Sequence, residues 1–120
     1  MANQYTIYHN PACSKSRKTL ALLQEYVDDI EIVDYLNDPP GRRQILVLCQ
    51  KLGLLPRDIA RAKEPIYRDL NLANQPNLSD DAWAVVLSRY PSLIERPIVV
   101  CGERAIIGRP PENVLQLING

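Results

Sequence analysis

Cys13 is the residue whose type and position best suit covalent chemistry. A short β-favouring run at residues 4–9 ends at the break Asn10-Pro11-Ala12, and a helical pattern begins at Ser14. A thiol at the start of a helix lies beside the unpaired first-turn N–H groups and the positive end of the helix dipole, and both favour the thiolate. Because this position is a polar loop tip rather than an apolar face, we interpret Cys13 as a reactive thiol and not as a small buried side chain.

Polar neighbours of Cys13 would support such a thiol. The hydroxyls of Ser14 and Ser16 can donate hydrogen bonds to the sulfur or to a bound anion. Lys15 and Arg17 add positive charge in the same turns. We therefore expect this segment to favour an anionic sulfur and an anionic substrate.

His9 lies four residues before Cys13, at the end of the predicted first strand, and it is the only histidine in the chain. As an imidazolium it could hold a neighbouring thiolate, and as a neutral ring it could orient the loop by a hydrogen bond. A plain structural role is an equal alternative. A single histidine also argues against a site with several histidine ligands for a metal.

The spacing around Cys13 excludes two familiar chemistries. Residues 13–16 read C-x-x-S, so the motif cannot form a dithiol. A phosphate loop of the Cys-x5-Arg type would need arginine at position 19, which is Thr19. An oxidised Cys13 therefore needs an external thiol or a distant cysteine to resolve it.

The two other cysteines are better explained by structure. Cys49 falls on the apolar stripe of a predicted second helix, so we interpret it as a core residue. Cys101 ends a predicted core strand beside a turn. It could approach a site at the edge of the sheet, but a structural role is favoured.

Three arginines stand in contexts that could fix an anion. Arg61 lies in an irregular segment, while Arg96 and Arg109 each precede a proline, which restricts the arginine backbone to extended conformations. A guanidinium held in place suits a planar or tetrahedral oxyanion. From the pattern alone, however, a surface role is the better interpretation for each.

The elements that must position these residues follow a β-α-β, helical insert, β-β-α order. Apolar spacing predicts strands at 4–9 and 30–35 around a helix from Ser14 to Val27, with the two strands parallel. The insert, about 41–95, contains a helix that stops at Gly53, a short helix near 57–62, and a helix capped by Ser79. A hairpin and a closing helix follow, at Ile98–Cys101, Arg104–Ile107 and Pro111–Ile118. This order predicts a single α/β domain over residues 1–120, with a thioredoxin-like mixed four-stranded sheet flanked by helices.

Composition limits the class of protein. Hydrophobic residues make up 46% and charged residues 23% of 120 residues, which is typical of one globular domain. Lys+Arg and Asp+Glu are both 14, so net charge favours neither nucleic acid nor a membrane surface. No apolar run approaches the roughly 20 residues that span a bilayer, and the first residues lack a signal-peptide pattern. We expect a cytoplasmic protein without a metal or a bound organic cofactor.

Three motifs, taken together, resemble the glutaredoxin-linked arsenate reductase family. They are His-Asn-Pro-Ala-Cys-Ser-Lys-Ser-Arg at 9–17, Arg-Pro-Ile-Val-Val at 96–100 and Gly-Arg-Pro-Pro-Glu at 108–112. The resemblance extends from Tyr5 to Ile118, with the motifs in order and properly spaced. It implies a thioredoxin-like fold with a helical insert, which agrees with the pattern of elements.

The resemblance also implies roles for the residues. Cys13 corresponds to the nucleophilic cysteine and His9 to the loop histidine. The arginines that bind arsenate correspond to Arg61, Arg96 and Arg109, and the bond before Pro97 is implied to be cis. The implied reaction is attack of the Cys13 thiolate on arsenate, completed by glutathione as co-substrate and by glutaredoxin.

Two other classes stay open. One is a glutathione-dependent thiol redox enzyme of the same fold that acts on another substrate. The other is a non-enzymatic transcription regulator of the same superfamily, which binds RNA polymerase. Such regulators typically carry a C-x-x-C switch, and Ser16 replaces its second cysteine here.

Overall fold

The computed structural model of the protein describes residues 4–119. Its strands are β1 (Tyr5–His9), β2 (Ile30–Asp34), β3 (Ile98–Cys101) and β4 (Arg104–Ile107). Its α-helices are α1 (Ser14–Tyr26), α2 (Arg42–Leu52), α3 (Pro65–Asp69), α4 (Asp80–Arg89) and α5 (Val114–Asn119). The same residues include 3-10 helices at Pro56–Ile59, Leu72–Asn74, Pro91–Leu93 and Pro111–Asn113.

The chain divides into two compact units. The sheet unit contains the chain up to Asp38 and from Arg96 onward, and the insert unit is Pro39–Glu95. The bounds of the insert unit lie close to the predicted insert at about 41–95. That the whole chain forms a single domain stays a prediction.

β1 and β2 form the parallel pair that the β-α-β pattern predicts. Tyr5 lies opposite Ile30 at one end of the pairing, and His9 lies opposite Asp34 at the other. Parallel neighbours need a crossover connection, which α1 supplies. Alternate residues of β1 are buried, with Ile7 fully inaccessible, so one face of this strand lies against a core.

β3 and β4 form an antiparallel hairpin, with Gly102 at a positive φ of 61° in its turn. β3 also pairs antiparallel with β1, so that Tyr8 lies opposite Ile98 and Tyr5 opposite Cys101. The strand order is β2-β1-β3-β4. The predicted mixed four-stranded sheet flanked by helices is therefore confirmed.

α1 and α5 contact each other over one face of the sheet. Leu23 of α1 and Val114 and Leu117 of α5 join Ile7 and Val99 in one buried cluster. Full burial of an aliphatic side chain contributes roughly 1.5–3 kcal/mol. The cluster therefore fixes α1, and with it the position of the helix start, on the sheet.

The insert unit has its own apolar core, in which α2 packs on α4. The predicted apolar stripes of both helices face inward, and their buried members are Ile45, Leu48, Cys49, Trp83, Ala84 and Leu87. α2 ends at Gly53, which has the left-handed φ of 71° that favours glycine. The Ser79 hydroxyl accepts the Ala82 N–H at 3.1 Å, so the predicted N-cap of α4 is confirmed.

Two short helices differ from the prediction. The helix expected near 57–62 is a 3-10 turn at Pro56–Ile59, and α3 follows after Glu64, whose extended backbone suits a residue before proline. The closing helix expected from Pro111 begins as a 3-10 turn and becomes α-helical at Val114. In both places proline allows a turn to start, but the turn is too short for apolar spacing to show its type.

α1, with 13 residues, is the longest helix within residues 4–119. None of the helices in this range is long and apolar enough to span a bilayer, which takes about 20 residues. The same range contains no group of three or more His, Cys, Asp or Glu side chains placed to hold a metal ion.

Candidate active site

Cys13 is the N-cap residue of α1. Its backbone is extended, with φ −96° and ψ 123°, and its side chain is half-buried. Its N–H donates to the carbonyl of Asn10 at 3.0 Å, and its own carbonyl accepts the first intrahelical bond from the Arg17 N–H at 3.0 Å. The thiol therefore lies where the first-turn N–H groups of a three-turn helix favour negative charge.

The loop before Cys13 is held by its own side chains. The Asn10 Oδ1 accepts the Ala12 N–H at 3.0 Å, which closes a tight turn. From the helix side, Arg17 Nη1 donates to the Pro11 carbonyl at 2.8 Å. Arg17, predicted to supply charge, thus also ties the first turns of α1 to the loop.

His9 and Ser16 form a buried pair beneath this loop. His9 Nδ1 lies 2.6 Å from the Ser16 Oγ, and the Ser16 Oγ also accepts the Asn10 N–H at 3.0 Å. Burial lowers the pKa of His9. The charge of Asp34 opposes this effect, and the charge of Arg17 adds a smaller effect in the same direction as burial. A neutral His9 at physiological pH fits the loop-orienting alternative. Ser14, by contrast, is exposed at the first position of the helix.

Arg96 and Arg109 lie at the end of the sheet where the Cys13 loop begins. Tyr8 lies opposite Ile98, and Ile98 opposite Ile107, so the end of β1, the start of β3 and the end of β4 share this end. Arg96 lies two residues before the start of β3, and Arg109 lies two residues after the end of β4. The structure thus brings both arginines and the loop of Cys13 to one end of the sheet.

The two arginine segments are bonded to each other. Arg109 Nη1 donates to the Arg96 carbonyl at 3.3 Å, and the Gly108 N–H donates to the Pro97 carbonyl at 2.9 Å. The Arg96–Pro97 bond is cis, the geometry that the family resemblance implies, and the Arg109–Pro110 bond is also cis. Arg96 is half-buried and Arg109 is exposed.

Sequence reasoning missed the residues that support these segments. Asn113 Nδ2 lies within hydrogen-bonding distance of the Ile107 carbonyl at 3.2 Å and the Arg109 carbonyl at 3.1 Å. Thr19, fully buried on α1, places its hydroxyl 3.0 Å from the Gly108 carbonyl. Thr19 shares the buried face of α1 with Ser16 and Leu23, and its place one turn before Leu23 is the one sequence signal that could have drawn attention to this contact.

Arg61 belongs to the insert unit, where it is paired with carboxylates. It is hydrogen-bonded to Glu64, and its Nε lies 3.8 Å from a carboxylate oxygen of Glu95. Its backbone N–H donates to the Leu93 carbonyl at 2.7 Å. The guanidinium is therefore held in place and largely buried, with 18% of the side chain exposed.

Residues 8–117 match the protein-family model described as the ArsC family. The chain belongs to the ArsC family. An arsenate reductase of Neisseria meningitidis serogroup B is 44% identical to it over 109 residues, covering 90% of this chain and 92% of that protein. The uncharacterized protein YfgD of Escherichia coli K12 is 45% identical over 119 residues, covering 98% and 99% of the two chains.

Solved structures agree with this membership. The structure of an arsenate reductase from Vibrio cholerae superimposes with a TM-score of 0.91 at 47% identity, covering 97% of this chain and 98% of that chain. The thioredoxin-like sheet with a helical insert is thus the fold of this ArsC-family chain.

Neither of the other thiols of this ArsC-family protein is placed to act with Cys13. Burial raises the pKa of Cys49 to about 11, so it carries almost no thiolate at neutral pH. Cys101 pairs with Tyr5, four residues from His9 along β1, which is about 13 Å. A disulfide needs Cα atoms within about 7 Å, so Cys101 at the far end of the sheet cannot bridge to Cys13.

Proposed function

We propose that this ArsC-family protein is an oxidoreductase that reduces arsenate to arsenite, with Cys13 as its nucleophile. The observation that carries the proposal is the meeting of the Cys13 loop, Arg96 and Arg109 at one end of the sheet. The family membership and the arsenate reductases among its relatives support arsenate as the substrate.

The site has the chemistry to hold a tetrahedral oxyanion. The first-turn N–H groups of α1 offer donors and a positive dipole end, and Arg96 and Arg109 add guanidinium donors. The family resemblance also implies Arg61 as a third arginine that binds arsenate. This role stays a prediction, because Arg61 lies in the insert unit, where it is paired with Glu64 and Glu95.

The first chemical step forms a bond to arsenic without changing its oxidation state. The Cys13 thiolate attacks arsenic(V), an S–As bond forms, and one arsenic oxygen leaves as hydroxide or, once protonated, as water. The positive surroundings of the helix start favour both the attacking thiolate and the bound anion. The neutral His9 and Ser16 act indirectly, by fixing the backbone of the loop that carries Cys13.

The reduction itself draws its electrons from glutathione. A glutathione thiolate attacks the Cys13 sulfur, an S–S bond forms, and the electron pair of the S–As bond stays on arsenic, which leaves as arsenite. A glutaredoxin thiol then takes the glutathionyl group and releases Cys13 as a thiolate. An outside thiol is required because Cys49 is buried and Cys101 lies at the far end of the sheet. We therefore also propose a cytoplasmic location, where glutathione is available as the reductant.

Arsenite formation in the presence of glutathione and glutaredoxin tests the proposal. We expect the wild-type protein to form arsenite and the Cys13→Ser variant to lose at least about 10³-fold of this activity, because the nucleophile is gone. Cys101→Ser is the matched control, and it should retain wild-type activity.

Equal arsenite formation by wild type and Cys13→Ser would contradict the proposal. If the wild-type protein then still accepted glutathione on Cys13, the result would favour the alternative of a glutathione-dependent redox enzyme with another substrate.

A further inference from the structure

Thr19 is the point at which the helix of Cys13 contacts the segment of Arg109. Its hydroxyl lies 2.8 Å from the Lys15 carbonyl in its own helix and 3.0 Å from the Gly108 carbonyl, and the side chain is fully buried. Its single proton serves both carbonyls, so the bond across to Gly108 competes with a local bond within the helix.

The contact is tight enough to require glycine at position 108. A Cβ added to Gly108 would lie 2.7 Å from both Thr19 Cγ2 and Thr19 Oγ1, and 2.9 Å from Pro97 Cγ. Real Cβ atoms do not approach other heavy atoms so closely, so α1, the start of β3 and the end of β4 meet here in van der Waals contact.

A displacement of Gly108 relative to Thr19 would also displace the backbone of both arginines. Gly108 directly precedes Arg109, and its N–H is bonded to the carbonyl of Pro97, which directly follows Arg96. Arg109 Nη1 adds a bond to the Arg96 carbonyl. On the other side, Cys13 is the N-cap of the helix that carries Thr19 and lies six residues before it.

We propose that Thr19 is a positioning residue that sets the distance between the Cys13 sulfur and the two arginines of the sheet unit. This inference rests on the proposed function, since it assigns Thr19 a part in forming the oxyanion site. The hydroxyl supplies the bond that holds the Gly108 carbonyl, and the methyl group supplies the spacing against Gly108.

Three variants separate these contributions. Thr19→Val keeps the shape but removes the donor, and Thr19→Ser keeps the donor. Thr6→Val is the matched control on β1, where the Thr6 hydroxyl donates to the exposed Glu31. The readout is protection of Cys13 from alkylation by iodoacetamide as arsenate is added. If Thr19→Val does not fold, Thr19→Ala takes its place, because alanine favours the helix and removes the same donor.

We expect Thr19→Val to raise about tenfold the arsenate concentration that gives half-maximal protection of Cys13. The reason is that a small misplacement of the binding groups strongly weakens the binding of arsenate. Thr19→Ser should stay within about threefold of wild type, and Thr6→Val should match wild type. Alkylation without arsenate should change less than about twofold in every variant, because the start of α1 is untouched. A purely structural role would instead lower the urea midpoint and leave the arsenate concentration unchanged, which would overturn the inference.

Hydrogen exchange of the Gly108 amide decides the inference independently of arsenate. We expect faster exchange in Thr19→Val than in wild type, with Thr19→Ser restoring the wild-type rate. If arsenate does not protect Cys13 from alkylation in the wild type, only the proposed function is overturned. The exchange rates of the Gly108 amide then decide whether Thr19 positions the segment of Arg109. Equal exchange in Thr19→Val and wild type would overturn that positioning role.

Discussion

At the residue scale, the surroundings of Cys13 are defined mainly by the backbone. It is the N-cap of α1, and its loop is fixed by Asn10 and by the Arg17 bond to Pro11. The side chains around it act mostly on the backbone. Ser16, which could have donated to the sulfur, is instead engaged with His9 and Asn10.

The buried His9 should make stability depend on pH. Its pKa is lowered by burial, so between the folded and unfolded pKa values the unfolded chain binds more protons. The stabilising effect of the neutral ring is therefore complete above the unfolded pKa of about 6.5 and is lost as the pH falls toward the folded pKa. We expect urea unfolding to give a lower free energy of unfolding near pH 5.5 than near pH 8, by at most about 1.4 kcal/mol per pH unit.

The His9→Asn variant is the comparison for this measurement. Asparagine offers an oxygen acceptor for the Ser16 hydroxyl but does not titrate, and the chain has no other histidine. Most of the pH dependence between these values should therefore disappear. A variant that kept the full wild-type dependence would show that His9 is not its source.

At the element scale, the N-cap of α4 allows a local test of stability. The Ser79 hydroxyl accepts the Ala82 N–H, and Asp80 and Asp81 follow in the first turn. We expect Ser79→Ala to lower the free energy of unfolding by about 1 kcal/mol and Ser79→Asp to retain it, because aspartate caps equally well. Urea unfolding followed by Trp83 fluorescence measures both, since Trp83 is buried on the same helix. Equal losses in the two variants would refute a capping role.

Elements with local signals could be predicted from the sequence. The cap at Ser79, the stop at Gly53 and the turn at Gly102 each depend on residues a few positions apart, and all occur in the structure. α3 could not be found, because the five residues from Pro65 to Asp69 give no complete apolar period. In the candidate site, too, contacts between neighbouring residues could be predicted and contacts between distant residues could not.

The Cys13 loop was identified from adjacent residues, whereas the contact of Thr19 with Gly108 joins positions 89 apart. This contact depends on how α1 packs on the sheet, and a local sequence pattern does not predict that packing. The same holds for Arg17, whose charge is evident in the sequence but whose bond to Pro11 depends on the folded loop. The resemblance to a family pointed to the arginines, but it did not indicate what holds them.

At the scale of the whole molecule, the sheet keeps two accessible thiols apart. Cys13 lies at one end, and Cys101 lies opposite Tyr5 at the other. Burial and then a hydrogen bond with the Cys101 thiol raise the pKa of Tyr5, so this second thiol has its own local partner. The third, Cys49, is buried in the insert unit.

This arrangement predicts the products of mild oxidation. With oxidised glutathione, we expect Cys13 to form a mixed disulfide and no internal bond between Cys13 and Cys101, because the sheet separates them by more than a disulfide can span. Peptide mass mapping of the native protein measures both species, and Cys101→Ser should give the same adduct on Cys13. A peptide pair linked through Cys13 and Cys101 would contradict the separation.

The distance between Cys13 and Cys101 also determines how the protein responds to peroxide. Cys101 is too far away to condense with a sulfenic acid formed on Cys13, and Cys49 is buried, so we expect a thiol from solution to convert this sulfenic acid to a recoverable disulfide. Where that pool is depleted, the sulfenic acid would proceed to the sulfinic form, which is not ordinarily reversed. Because a β-strand separates the two thiols, we expect the time for which Cys13 stays reduced under peroxide to depend on the concentration of thiols in solution.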